Sequence, residues 1–195
     1  DGTGPIARAY AERDGRIRYY RSEEFVSAAA NWNRAFGRVD RRRSEFFMWA
    51  SDDDVWSPEF VETLLPSLLG DKRCVLAFSN YQEINASGSV IEEKGFGSAC
   101  LKSRSVLDAF RMLRGNKHGC NAIYGIMRLS ALVWSPLLAD VDILGIDFWF
   151  LLQLAGRGRF LYSDKVLLWK RIGGISWHDA HVLGSNEGRS GPEIG

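Results

Sequence analysis

Three carboxylates stand side by side in Ser51-Asp52-Asp53-Asp54, directly after the apolar run Phe46-Phe47-Met48-Trp49-Ala50 and ahead of Val55-Trp56-Ser57-Pro58. Adjacent carboxylates repel, so a turn that keeps three of them calls for a cation. Oxygen-only ligands suit Mg²⁺ or Mn²⁺, which keep part of their water shell and share coordination with substrate phosphates. The plainer reading is a solvated acidic turn capping the helix that begins near Pro58. Asp147, in Gly145-Ile146-Asp147-Phe148-Trp149, is the second candidate. A carboxylate at a helix opening is favoured by the helix dipole, which is reason enough for it to be there. Beside Ile146, Phe148 and Trp149, partial desolvation would also strengthen it as a general base. His178-Asp179-Ala180-His181 brings three potential ligands close together, but no helix aligns the two imidazoles and a solvated loop is the simpler reading.

These groups need elements to hold them. A short aromatic run bounded by polar residues reads as a buried strand, and Ser57-Pro58-Glu59 as a helix start with Pro in its first turn. The carboxylates then fall at a strand tip, the edge where open α/β sheets bind ligands. Upstream, Pro5 to Asp14 has helical spacing, Arg16 to Arg21 alternates like a strand, and Val26 to Phe36 reads as a helix stopped by Gly37. Downstream come a helix from Pro58 to Leu69, a long strand from Cys74 to Ile84, and a turn at Asn85-Ala86-Ser87-Gly88 into Val90-Ile91. A polar loop over Glu92 to Lys102 leads to a helix from Ser103 to Leu113 and an apolar strand from Ala122 to Met127. Phe148 to Leu154 is a strongly apolar helix, and Phe160 to Tyr162 and Val166 to Trp169 are short strands. The β-α alternation before residue 70 predicts a mainly parallel sheet flanked by helices, with Phe46 to Ala50 as an interior strand.

Composition narrows the class. The 195 residues are 46% hydrophobic and 25% charged, the profile of one ordinary globular domain. A formal net charge of +1 gives no global case for nucleic acid. Arg38, Arg41, Arg42 and Arg43 read as a solvated loop, with a phosphate or membrane-surface contact as the other reading. Cys74, Cys100 and Cys120 are odd in number and widely spaced, which fits reduced thiols in a cytosolic protein. No apolar run is long enough to span a bilayer, and no signal peptide is visible. Residues 184–195 are Gly, Ser and charge, the composition of a flexible tail.

As an ordered set, the segments resemble the family 2 inverting glycosyltransferases of the GT-A fold. Asp1-Gly2-Thr3 resembles the end of that family's Ser-Thr-Asp-Gly-Thr turn, and Ala29-Ala30-Asn31-Trp32-Asn33 its helix of small residues plus Asn. Phe47 to Trp56 resembles the strand carrying the DxD element, and Tyr124-Gly125-Ile126-Met127-Arg128 the strand beside the acceptor site. Gly145-Ile146-Asp147 resembles the Gly-x-Glu-Asp base motif, and Leu167 to Arg171 with Gly173-Gly174-Ile175-Ser176 the closing strand and loop.

The resemblance implies an α/β chain of the GT-A class, a mostly parallel central sheet with a small antiparallel element, over residues 1–183. It also implies that the family's opening strand precedes Asp1. Implied too is metal-assisted transfer of one sugar from a nucleotide-diphosphate sugar to a hydroxyl acceptor, whether saccharide, lipid-linked or protein. Mn²⁺ or Mg²⁺ would sit on Asp53, with Asp54 and His178 as further ligands. Asp52, Asn31 and Arg171 would face the donor, and Asp147 would be the base. Ser51 stands where the first Asp of the motif usually is, Phe25 where an Asn is expected, Ala30 where an Arg is, and Ile172 where many members place a His. Gln153-Leu154-Ala155-Gly156-Arg157 is not the Gln-x-x-Arg-Trp signature of processive synthases, which favours single transfer in a cytoplasmic or membrane-peripheral protein. Two other readings remain open: a nucleotide- or carbohydrate-binding remnant without turnover, and a sugar-phosphate nucleotidyltransferase.

Overall fold

Alternating apolar segments build one mixed sheet with helices packed on it. The computed structural model describes residues 2–24, 26, 28–94, 102–103, 105–115, 119–132 and 146–172. In chain order the elements are α1 (Thr3–Arg13), α2 (Ala28–Gly37), β1 (Phe46–Phe47), β2 (Val55–Trp56), α3 (Phe60–Gly70), β3 (Cys74–Ile84), β4 (Val90–Lys94) and β5 (Lys102–Ser103). Then come α4 (Val106–Gly115), a 3₁₀ turn at Gly119–Tyr124, β6 (Ile126–Arg128), a second 3₁₀ turn at Leu129–Ala131, α5 (Ile146–Ala155) and β7 (Arg159–Arg171).

β3 is the axis. Its residues Cys74 to Phe78 are all buried, as a strand covered on both faces requires. The strands run in the order β1-β6-β3-β7-β2, with β4 added to β3 and β5 to β7. The expectation of a mostly parallel sheet needs correcting. Among the described residues only β3 and β7 pair in parallel, and every other pairing is antiparallel. Two antiparallel steps leave β1 pointing the same way as β3 and β7, so three C-terminal ends still face one edge.

The interior place expected for Phe46 to Ala50 is corrected too. β1 is shorter and, among the described residues, ends the strand order and meets only β6, because β6 occupies the flank of β3 at Leu76 and Ala77. Residues 16–21 form no strand, and all but Tyr19 are exposed. The expected strand from Ala122 to Met127 winds as a 3₁₀ turn for its first half. Gly125 stands at the change of geometry, where a Cβ would lie 2.5 Å from the Ala77 carbonyl oxygen, so only glycine lets the chain pass this close to β3. The two short C-terminal strands are one strand, β7, with an irregularity where Ser163-Asp164-Lys165 interrupts its register against β3.

The core lies where α3, α4 and α5 meet the sheet. Leu68, Leu76, Met127 and Leu151 are fully buried, each contributing about 1.5–3 kcal/mol through removal from water. A second, aromatic cluster fixes α2 to the strand before the acidic turn. Trp32 stacks on Trp49 with centroids 4.8 Å apart, and Phe47 meets Trp49 edge-on at 4.6 Å. Among the described residues, no helix is long and apolar enough to cross a membrane.

Candidate functional site

The turn that follows β1 docks on the C-terminal end of β7. Val55 and Trp56 pair with Trp169 and Leu168, and this pairing divides the three carboxylates. Asp54 turns inward and its side chain is only 1% exposed. Its Oδ1 accepts the Arg171 backbone N–H at 2.9 Å, and its Oδ2 faces the Lys170 ammonium at 3.8 Å. That second oxygen is buried and, among the described residues, accepts no hydrogen bond. Burial pushes the Asp54 carboxyl above its ordinary range, against the opposing pull of Lys170 and the Arg171 N–H, with Asp53 adding to the rise. Asp52 and Asp53 stay exposed, and the Ser51 hydroxyl donates to Asp53 Oδ1.

Arg171 is the fastener of this turn. Its Nε donates to the Asp53 carbonyl at 3.0 Å, and its Nη1 to the carbonyls of Asn85 and Ala86 at 2.7 and 2.8 Å. The guanidinium expected to face the donor is thus directed at backbone oxygens of two turns. Lys170 lies 4.7 Å from the centroid of the Tyr124 ring. Burial raises the Tyr124 pKa first of all, with Lys170 opposing and Asp54 adding.

Asp147 sits in the first turn of α5, where its Oδ1 accepts the Phe148 N–H at 2.8 Å. This is the helix-opening role that its position alone suggests. Its other neighbour is the Cys120 thiol, which feels the charge of the carboxylate. Burial chiefly, then the neighbouring Asp147 carboxylate, push the thiol up to about 12. Cys120 and Tyr124 belong to the same 3₁₀ turn. One short element therefore touches Asp147 near its start and the Lys170–Asp54 pair at its end.

The other expected residues fall elsewhere. Asn31 is exposed and lines a cavity on the outer side of α2 with Arg34 and Arg38, away from the Trp32–Trp49 contact that leads to the acidic turn. His178, together with Phe25 and residues 173–195, lies outside the described residues. Lys170, Tyr124 and Cys120 went unassigned in the sequence. For Lys170 a signal was available: strand alternation puts it on the side of the buried Leu168, and an inward lysine calls for a carboxylate.

Among the described residues, no group of three or more His, Cys, Asp or Glu is placed to hold a metal ion. What the turn offers is one or two exposed carboxylates, Asp53 and Asp52, beside an inward Asp54 already engaged by β7. That donor set fits Mg²⁺ or Mn²⁺ of the kind completed by waters and substrate phosphates, and not a cation enclosed by protein ligands.

The chain matches the family description "Glycosyl transferase family 2" over residues 1–129, a stretch that holds α2, the acidic turn and Tyr124. A relative from Rickettsia bellii (strain RML369-C), named "Uncharacterized glycosyltransferase", is 23% identical over 172 residues. That alignment covers 86% of this chain and 23% of the relative, so the chain spans under a quarter of that protein's length. With two thirds of its length inside the family match and an α/β sheet of the class that the GT-A fold entails, the chain belongs to glycosyl transferase family 2.

Proposed function

We propose that this domain transfers a single sugar from a nucleotide-diphosphate sugar to a hydroxyl acceptor, with inversion at the anomeric carbon and assistance from Mn²⁺ or Mg²⁺. Family membership supports the reaction class. The observation that carries the assignment of residues is the 3₁₀ turn Gly119–Tyr124, which touches Asp147 through Cys120 and the acidic turn's partner Lys170 through Tyr124. At about 2 Å of rise per residue, those two positions are about 8 Å apart along its axis, a span on the scale of a sugar ring.

In this reading the Asp147 carboxylate accepts the proton of the acceptor hydroxyl as its oxygen attacks the anomeric carbon. The bond from that carbon to the diphosphate oxygen breaks on the opposite face, so one displacement inverts the centre. The Phe148 N–H holds the carboxylate in position, with the Cys120 thiol beside it. Asp53, with Asp52 beside it, would hold the metal, which when bound neutralises charge on the leaving diphosphate. Arg171 serves the turn's shape through its three carbonyl contacts. The free thiols of Cys74 and Cys120 suit a reducing compartment such as the cytoplasm.

Asp147→Asn tests this directly, because it keeps the size and an oxygen for the Phe148 N–H but cannot take a proton. Turnover with a nucleotide-sugar donor should fall roughly 10²–10⁴-fold, while thermal melting and donor affinity hardly move. A residue that only caps α5 predicts the opposite: retained turnover and a loss of about 0.5–2 kcal/mol in stability.

A further inference from the structure

Positive charge is concentrated in one stretch of this chain. Residues 16–45 hold eight arginines against four acidic residues, an excess of +4, whereas the whole chain carries +1. Four of those arginines, Arg18, Arg21, Arg34 and Arg38, line a cavity of about 620 Å³ between the extended segment 18–22 and α2. No carboxylate lines it, and among the described residues none of the four has an ion-pair partner. Arg16, just outside, is by contrast paired with Asp14 at 2.6 Å.

Two of the guanidiniums, those of Arg34 and Arg38, are held in place without neutralisation. Arg34 Nη1 donates to the Ser22 hydroxyl at 2.7 Å, Arg38 Nη1 donates to the Arg34 carbonyl at 3.2 Å, and the Arg38 guanidinium lies 4.2 Å from the centroid of the Tyr20 ring. Such contacts fix direction and leave the charge unspent. A planar guanidinium with donors free on its far side is suited to bidentate contact with phosphate oxygens. The volume is in the range of small-molecule sites.

This cavity is set apart from the acidic turn. Asn31, Arg34, Ala35 and Arg38 follow the i, i+3, i+4, i+7 spacing of a single helical face. Ala29, Trp32 and Phe36 take the opposite face, packed into the core and against Trp49. The body of α2, about 10 Å across, stands between the two. We infer that the cavity is a binding site for a phosphate-bearing anion, either a soluble phosphate ester or a phospholipid headgroup, held by Arg34 and Arg38 with Arg18 and Arg21 supplying further charge.

The test uses the whole chain in the presence of a chelator, so that metal-dependent donor binding is silent and its failure cannot be mistaken for failure here. Inorganic pyrophosphate is titrated by calorimetry, and phosphatidylcholine vesicles with and without phosphatidic acid are tested by co-sedimentation. Saturable pyrophosphate binding that falls at least tenfold in Arg34→Gln/Arg38→Gln supports a soluble ligand. Binding confined to phosphatidic acid vesicles, and lost in the same variant, supports a headgroup. Arg34→Lys/Arg38→Lys keeps the charge and guards against misfolding as the cause; it should retain part of the affinity. Arg42→Gln/Arg43→Gln, on the neighbouring loop, should bind as the unaltered chain does. No binding of either probe, or equal loss in the loop variant, overturns the assignment.

Discussion

Two clusters of like charge in this chain are settled in opposite ways. At the acidic turn, β7 supplies the answer from within: Asp54 swings into the sheet, where the Arg171 N–H and the Lys170 ammonium receive it. Two carboxylates are left facing solvent. Around the outer side of α2, four guanidiniums meet no carboxylate among the described residues, and two of them, Arg34 and Arg38, are held by a hydroxyl, a carbonyl and a tyrosine ring. The difference is where the countercharge sits. A cluster with an internal partner becomes a structural joint plus a smaller exposed remainder, and a cluster without one keeps all of its charge for something outside the chain. Counting charges in a sequence cannot separate the two, because the partner Lys170 lies more than a hundred residues from Asp54.

If the division of the acidic turn is right, its three aspartates should respond unequally. Asp53→Ala should have the largest effect, lowering Mn²⁺ and nucleotide-sugar affinity by at least the roughly 10–100-fold that changes around a metal typically cost. Asp52→Ala should be milder, and Asp54→Asn should leave Mn²⁺ affinity nearly unchanged. Calorimetry on the three variants decides it, and equal losses would erase the distinction between joint and remainder.

Asp54 should instead report on stability. Lys170→Met leaves a buried carboxylate facing no cation and should cost about 1–3 kcal/mol in urea unfolding. Adding Asp54→Asn to it should recover part of that loss, since the two sites are in contact and their effects should not add. The pH dependence has a fixed sign. A folded-state pKa raised above the unfolded value gives a contribution that is complete below the ordinary carboxylate range and is lost as pH rises through the raised value. Over that window the unaltered chain should lose stability relative to Asp54→Asn. The opposite slope would mean that Lys170 outweighs burial.

The smallest expected effect concerns the thiols. Burial pushes Cys74 up to about 11 and Cys120 up to about 12, so neither is a thiolate near pH 8.5, where a free cysteine is half ionised. Both should resist alkylation in the native chain and react after denaturation, as mass spectrometry of the labelled protein would read. Fast native labelling of Cys120 would show that the contact between the 3₁₀ turn and Asp147 opens readily.

What could be read from the sequence followed the strength of its local signals. Cys74–Ile84 was legible to the residue, because an apolar run of that length between Asp71-Lys72-Arg73 and Asn85-Ala86-Ser87-Gly88 has few alternatives. Gly88, with φ +86°, takes the left-handed turn that the hairpin needs. The helices were legible within a turn or so. Strand neighbours were not, since pairing depends on segments far apart in sequence: nothing local says that β6 would intrude beside β3 and leave β1 at an edge. The 3₁₀ turn at Gly119–Tyr124 was hidden for a different reason, as a short apolar run reads equally well in either geometry. Of the site, the acidic turn and Asp147 carried their own markers. The groups around them, Lys170, Tyr124 and Cys120, acquire meaning only through contacts that folding makes.

One guanidinium holds two turns at once. Arg171 donates to the Asp53 carbonyl on one side and to the Asn85 and Ala86 carbonyls on the other, while the neighbouring Ile172 N–H meets the Ile84 carbonyl at 2.8 Å. The acidic turn and the β3–β4 hairpin turn therefore cannot swing open independently. In hydrogen exchange the amides of 53–56 and 85–89 should exchange as one cooperative unit, and the two turns should behave as a single hinged piece, with its pivot at the end of β7.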